Sequence, residues 1–262
     1  MNHSLNPQEE HYARIHDDYV SHYFDPTALT FRRRFILKRL FDGVDLNRKK
    51  VAELACSVGH NSVLVRELFP SVDLAGYDIS ESACSEYLRL VDAPAHIVDL
   101  TRPSELSPGF DAAFVIGGLH HCANFLPQTF QNIARMLKPG GLFFWYEPNA
   151  DFCLQAIRDY WYRRDSYFDE MSERALTVGE LEAKAKPYFE SEKQFYLGGP
   201  AYFLILNSLV LRLPLGAKRS IAQLLFPVEA LWDRLEASSV HPVIAGVWRR
   251  TGIDVIDERL PS

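Results

Sequence analysis

The stretch Val51-Ala52-Glu53-Leu54-Ala55-Cys56-Ser57-Val58-Gly59-His60-Asn61 passes from an apolar run through small residues into the start of a helical pattern. Small side chains at such a turn let a ligand approach the backbone, and a helix start presents unbonded N–H groups to it. The next apolar run, Val72–Tyr77, ends in Asp78, 25 residues after Glu53. An acid at that place can accept hydrogen bonds from both hydroxyls of a ribose. His120 and His121 follow a further apolar run, Phe110–Ile116. A histidine there can serve as a base near neutral pH. These residue types suit an adenosine-type cofactor with a proton acceptor beside it.

Strands alternating with helices would place all of these groups at one sheet edge. Lys50–Cys56, Val72–Tyr77, Ala95–Val98, Phe110–Ile116 and Leu142–Tyr146 read as buried strands. Asn61–Phe69, Glu81–Val91 and Phe125–Leu137 read as the helices between them, the last closed by Lys138-Pro139-Gly140-Gly141. This alternation implies a doubly wound, parallel sheet. Before it, Tyr12–Tyr23 and Leu29–Phe41 carry apolar residues at helical spacing, broken at Asp25-Pro26, with Gly43 as a stop. After it, Asp151–Arg164, Val178–Tyr188 and Ala217–Leu235 look helical, Ala201–Leu213 is strongly apolar, and Ser191–Leu197 and Val243–Trp248 read as strands.

The turn by itself leaves other readings open. It has Ala55, Ser57 and Gly59 where a full motif would have three glycines, so any tight strand–helix turn could look the same. A nicotinamide-binding fold is a sharper rival, but Ser57 and His60 crowd the route of a pyrophosphate.

Composition narrows the classes. Of 262 residues, 47% are hydrophobic and 24% charged, with a formal net charge of -6, so a nucleic-acid partner is not expected. The four cysteines, Cys56, Cys84, Cys122 and Cys153, have no CxxC spacing, which points away from a zinc site or a disulfide framework and towards thiols in a reducing cytoplasm. Met1–Glu10 is polar and lacks the apolar core of a leader, and no apolar run reaches the roughly 18 residues of a membrane span.

Five segments, in order and spacing, resemble the class I methyltransferases that use S-adenosylmethionine (SAM): VAELACSVGHNS, LAGYDIS, AHIVDLT, FDAAFVIGGLHH and MLKPGGLFFWYEP. The resemblance covers about residues 10–150. It implies an α/β, Rossmann-like sheet of seven mostly parallel strands in the order 3-2-1-4-5-7-6, with helices on both faces. It implies an N-terminal helical lid over residues 1–48. A SAM-binding domain would occupy 49–262, with substrate-side helical insertions at 151–190 and 198–240.

By the same resemblance, Glu53 would lie near the methionine amino group, and Ala55, Ser57 and Gly59 would line the methionine and ribose. Asp78 and Ile79 would hold ribose and adenine, Asp99 and Leu100 would meet the adenine, and Ile116 and Gly117 would lie beside the sulfonium. Asp99 also suits a turn of its own, since it precedes Thr-x-Pro. His120 or His121 is the candidate base. Tyr12, Tyr19, Tyr23, Arg33, Trp161 and Tyr202 are candidate acceptor contacts from the lid and the insertions, with a solvated helix face as the plainer reading for Arg33. The expected reaction is methyl transfer to O or N of a small metabolite or a glycan-like acceptor, without a metal. A homodimer is a further partner the chain allows. A degenerate SAM-binding module without turnover is the alternative that the replaced glycines suggest.

Overall fold

The structure is a computed structural model that describes residues 21–104, 106–162, 174–207, 211 and 213–252, without the side chains of Trp161 and Tyr162. Its centre is one seven-stranded sheet. The strands are β1 (Lys50–Leu54), β2 (Asp73–Asp78), β3 (Ala95–Ile97), β4 (Phe110–Ile116), β5 (Leu137–Pro148), β6 (Phe189–Leu197) and β7 (Val243–Arg250). Their spatial order is β3-β2-β1-β4-β5-β7-β6, as expected. β1 to β5 pair in parallel, and β7 runs antiparallel to both β5 and β6.

Each central strand is apolar on both faces because helices cover both. The pleat divides its residues by parity. Val51, Ala112, Phe114, Phe144 and Tyr146 join one core cluster, together with the N-terminal helices. Ala52, Leu54, Ala113, Val115, Phe143 and Trp145 join the other.

The covering helices are α3 (His60–Leu68), α4 (Glu81–Val91), α5 (Leu126–Met136) and α7 (Val178–Ala185), with α6 (Gln155–Tyr162) after β5 and α8 (Leu215–Trp232) before β7. Ser80 caps α4 and Thr177 caps α7, each side chain accepting a backbone N–H of the first turn. The N-terminal layer starts with α1 (Pro26–Phe31), which Asp25 caps and Pro26 opens. It continues through a π-helical stretch, Arg32–Leu37, into α2 (Lys38–Leu40).

Three expectations are adjusted. β5 starts at Leu137, so Lys138–Gly141 belong to the strand, and the irregularity shows as a register shift between Phe110 and Ala112. Of the apolar segment Ala201–Leu213, only Tyr202–Leu206 is a named helix among the described residues, and it is a π-helix. The buried carboxylate of Glu229 binds the Gly199 and Ala201 N–H groups at 2.8 Å each, which fixes where that helix starts. β6 and β7 extend to Phe189 and Arg250, beyond the apolar pattern, because exposed polar ends can still pair.

Candidate active site

The carboxyl ends of β1, β2, β4 and β5 converge on one edge of the sheet, where ligands of doubly wound folds bind. The β1–α3 turn is held in a sequence of left-handed residues: Ala55 (φ 49°), Ser57 (φ 47°) and Gly59 (φ 90°). The first two therefore adopt the conformation that glycine would adopt more cheaply, at about 1–2 kcal/mol each. The surroundings enforce it. Cys56 donates its N–H to Tyr77 O at 3.1 Å, Ser57 to Asp78 Oδ2 at 2.8 Å, and Gly59 to Cys56 O at 3.0 Å.

A Cβ on Gly118 would stand 2.7 Å from the Ala55 methyl, so glycine at 118 makes room for alanine at 55. A Cβ on Gly59 would stand 2.4 Å from Val91 Cγ2 and 2.7 Å from Tyr87, so no larger residue fits there. Ala55 and Ser57 thus hold a left-handed backbone of the kind that glycine favours.

Asp78 closes β2 and faces this turn. Besides the Ser57 N–H it accepts that of Ser80 at 3.0 Å, through Oδ1. These bonds orient the carboxylate towards the turn. Ile79 follows at the same edge. Asp99 serves its own turn: Oδ1 accepts Thr101 N–H at 2.9 Å and Thr101 Oγ1 at 2.5 Å, and Arg102 lies 3.2 Å from Oδ2. Leu100 packs partly against the core, and its carbonyl accepts from Asn132 at 3.0 Å.

Glu53 is 1% exposed and points into the protein, where it accepts from Asn61 Nδ2 at 3.1 Å and from Ser62 Oγ. Burial pushes its carboxyl up to about 7 against the opposing pull of those hydrogen bonds. Ser62 also meets Tyr87 Oη at 2.7 Å. Asn61 in turn accepts from the buried Arg32 at 3.1 Å, and Arg32 donates to Tyr23 O and lies over the Phe24 ring. Phe24 stacks on His60 with centroids 4.4 Å apart. The N-terminal helices are therefore tied directly to the first residues of α3.

At the next edge, Ile116 ends β4 and Gly117 turns left-handed (φ 72°). A Cβ on Gly117 would meet nothing nearer than His120 Cε1, at 3.9 Å, so this backbone faces an open approach beside the His120 ring. Glu147, fully buried at the end of β5, gathers the turn. Its Oε1 accepts the Gly118 and Leu119 N–H groups at 2.9 and 2.7 Å, and its Oε2 accepts that of His120 at 3.2 Å. The same Oε2 lies 2.8 Å from His120 Nδ1. The His121 ring is 4.0 Å from that of His120.

The candidate acceptor contacts are spread more widely. Tyr23 Oη donates to Asn207 Oδ1 at 3.0 Å, linking the N-terminal layer to the end of the π-helix Tyr202–Leu206. Tyr202 is buried at the start of the π-helix, against Phe203. Arg33 stands apart, at the surface, 3.5 Å from Glu67 with both side chains half exposed. Tyr12, Tyr19 and the Trp161 side chain lie outside the described residues.

Glu147, Arg32 and Asn61 were missed as site residues by sequence reasoning. Glu147 had a usable signal, an acid ending an otherwise apolar strand at the ligand edge, just as Glu53 nearly ends β1.

Residues 52–143 match the model of a family described as a methyltransferase domain. No curated protein matches the sequence. A cyclopropane synthase from Mycobacterium tuberculosis shares the fold with a TM-score of 0.64 and 14% identity, covering 94% of this chain and 100% of that one. Phosphoethanolamine N-methyltransferase 2 from Haemonchus contortus, in complex with SAM, superposes with a TM-score of 0.58 and 16% identity over 95% of this chain and 60% of that one. An N-methyltransferase from Bradyrhizobium japonicum, in complex with S-adenosylhomocysteine, gives 0.54 and 11% over 92% and 98%. None of these comparisons favours a nicotinamide oxidoreductase. Residues 52–143, which span the cradle, are therefore similar to a methyltransferase domain, and nearly the whole chain shares the fold of the solved structures above.

Proposed function

We propose that the protein methylates an oxygen or nitrogen of a small metabolite or sugar-like acceptor, with His120 as the proton acceptor. The observation that carries this reading is the Glu147–His120 pair, set beside the open backbone of Gly117 at the edge that the cofactor turn shares.

The cradle fits SAM: its turn is shaped for close approach, Ala55 is exposed within it, and the Asp78 carboxylate is oriented beside it. Ala55, Ser57 and Gly59 would line the methionine and ribose, Asp78 and Ile79 would hold the nucleoside, and Asp99 and Leu100 would border the adenine. Glu53 would act through the turn, by fixing Asn61 and Ser62 beneath it. Bound there, SAM would supply an electrophilic methyl group, and Ile116 and Gly117 would lie beside it.

The chain's own work is then positioning and proton removal. Orientation of two reactants can contribute on the order of 7–11 kcal/mol. The bond from Nδ1 to Glu147 selects the tautomer whose Nε2 carries the lone pair, and Glu147 stabilises the imidazolium once Nε2 has taken the acceptor's proton. The segment 23–40 would act as a lid, since it reaches the cradle through Arg32 and Phe24 and Asn207 through Tyr23. Tyr23 and Tyr202 would flank the acceptor, and aromatic walls suit a small organic molecule.

The test is calorimetry with SAM and S-adenosylhomocysteine, followed by a methyl-transfer assay on a library of hydroxyl, amine and sugar acceptors. Binding of both cofactor forms with turnover on an acceptor is the expected result. Binding without turnover on any acceptor would favour the alternative of a SAM-binding module.

A further inference from the structure

Three buried side chains between the N-terminal layer and the sheet hold polar atoms without partners. Arg32 is 6% exposed, and Tyr146 and Tyr202 are 7% each. Among the described residues, Arg32 Nη2 and both tyrosine hydroxyls make no hydrogen bond, and none of the three atoms is sealed from solvent. Arg32 also makes no ion pair among those residues, although a buried charge is costly unless paired. The three are linked. Tyr146 and Tyr202 share one core cluster, on the face of β5 that the N-terminal helices cover. Arg32 Nε donates to Tyr23 O at 3.2 Å, Tyr23 Oη to Asn207 Oδ1 at 3.0 Å, and the Asn207 N–H to Tyr202 O at 3.0 Å. Tyr146 also reaches the edge where transfer would occur, since it pairs with Ile116 and its carbonyl accepts the Gly117 N–H at 2.8 Å.

We infer that Arg32, Tyr146 and Tyr202 form a subsite for an oxyanion on the acceptor, a carboxylate or a phosphate group, held on the lid side of β5 while the atom to be methylated faces Gly117. This rests on the methyl-transfer reading proposed above, and narrows its acceptor to an acid or a phosphate ester. The spare groups are donors: a guanidinium nitrogen cannot accept, and burial, then Tyr202, push the Tyr146 hydroxyl far above the ordinary tyrosine range, so it keeps its proton. Nearby carboxylates are engaged elsewhere. Glu229 takes the Gly199 and Ala201 N–H groups, Asp233 lies 3.1 Å from Arg39, and Asp25 pairs with Lys218. A guanidinium flanked by two phenols matches an oxyanion through charge-assisted hydrogen bonds, whereas a neutral group there would leave the cation unpaired.

Calorimetry on the full chain saturated with S-adenosylhomocysteine tests this, with benzoate, phenyl phosphate and neutral benzamide as probes. One of the two anions should bind about tenfold or more tightly than benzamide, and which one does so tells carboxylate from phosphate. Tyr146→Phe and Tyr202→Phe should each weaken that anion about fivefold or more, with S-adenosylhomocysteine affinity kept. The ligand-free melt should hold or rise in both, because the hydroxyl removed has no internal partner. Arg32→Gln should abolish the preference for the anion. No preference for either anion, including no binding of any probe, would overturn the inference, as would anion affinities unchanged in both tyrosine variants. A lowered melt in both would make the hydroxyls structural and overturn it too. Loss of S-adenosylhomocysteine affinity in Arg32→Gln would overturn it by assigning the cation to the cofactor's own carboxylate. A wild type that binds no S-adenosylhomocysteine would strike the methyl-transfer reading itself, and the subsite with it.

Discussion

Two strand-to-helix turns meet at the ligand edge, and they are held in different ways. The turn after β1 takes its shape from backbone conformation, with left-handed Ala55, Ser57 and Gly59, while Glu53 stays beneath it on side-chain donors. The turn after β4 takes its shape from one carboxylate, Glu147, which collects three backbone N–H groups and a histidine ring. By parity along their strands the two glutamates lie on opposite faces of the sheet: Glu53 with Val51 towards the N-terminal layer, Glu147 with Trp145 towards α5. The first turn is a passive mould. The second delivers a polarised side chain to the place where chemistry would occur. A fold can thus make one half of a site robust to side-chain exchange and stake the other half on a single residue.

The largest expected effect tests the mould. Gly59→Ala should destabilise the protein by about 2–3 kcal/mol, from a left-handed backbone combined with overpacking against Val91 and Tyr87. SAM binding should fall with it; a variant with wild-type melting and affinity would show that the turn is not a tight mould.

Glu147→Gln comes next. It keeps the volume but replaces one acceptor oxygen by an amide that cannot accept the N–H groups it meets. A fall in kcat of about 10²-fold or more is expected, with the acidic limb of the pH–rate profile moved to lower pH, while SAM affinity measured by calorimetry stays within a few-fold. An unchanged pH profile would remove Glu147 and His120 from proton transfer, and equal losses in SAM affinity and kcat would make Glu147 merely structural.

Asp78→Ala should weaken SAM by about 1–3 kcal/mol, through lost charged hydrogen bonds and a loosened Ser57. Asp78→Asn should recover part of this, because an acceptor oxygen remains for the Ser57 N–H. Unchanged affinity in folded Asp78→Ala would break the ribose assignment.

A smaller, pH-dependent effect probes the buried acid of the mould. Because the folded state raises the Glu53 carboxyl from 4.5 to about 7, its stabilising contribution is complete below the unfolded value and is lost as pH rises through about 7. Glu53→Gln removes this dependence, so the variant should gain on wild type between pH 4.5 and 7, and the gap should then level off. Urea unfolding of both proteins across that range measures it; a gap independent of pH would mean that Glu53 does not titrate in the folded protein. Glu229, also raised to about 7, is common to both proteins and cancels from the difference.

The smallest effect is expected at Arg33→Ala. Its pairing with Glu67 is half exposed on both sides, so stability should change by less than about 0.5 kcal/mol and the acceptor KM should stay the same. A raised acceptor KM would return Arg33 to the site.

Much of the cofactor half is readable along the chain. Glu81–Val91 and Phe110–Ile116 are found where the pattern places them, because caps and apolar periodicity act within a few residues. The strand order follows from five motifs in a familiar sequence. The irregular C-terminal third is less legible. Its π-helix depends on Glu229, some 28 residues beyond the N–H groups it binds, and its packing on the N-terminal helices depends on Lys218, fully buried against Asp25 across 193 residues.

The residues themselves determined that a small-residue turn, an acid 25 positions beyond Glu53 and a histidine pair would share one sheet edge, since alternation of strands and helices admits few other arrangements. Only the tertiary structure decided what each group does there. It turned Glu53 inwards, occupied Asp99 with its own turn, held Ala55 in a glycine-like conformation, and set Glu147 against His120 across 27 residues. The physical reason is that periodicity reports which face a residue lies on, whereas its partner comes from a distant segment that packing alone brings within hydrogen-bonding reach.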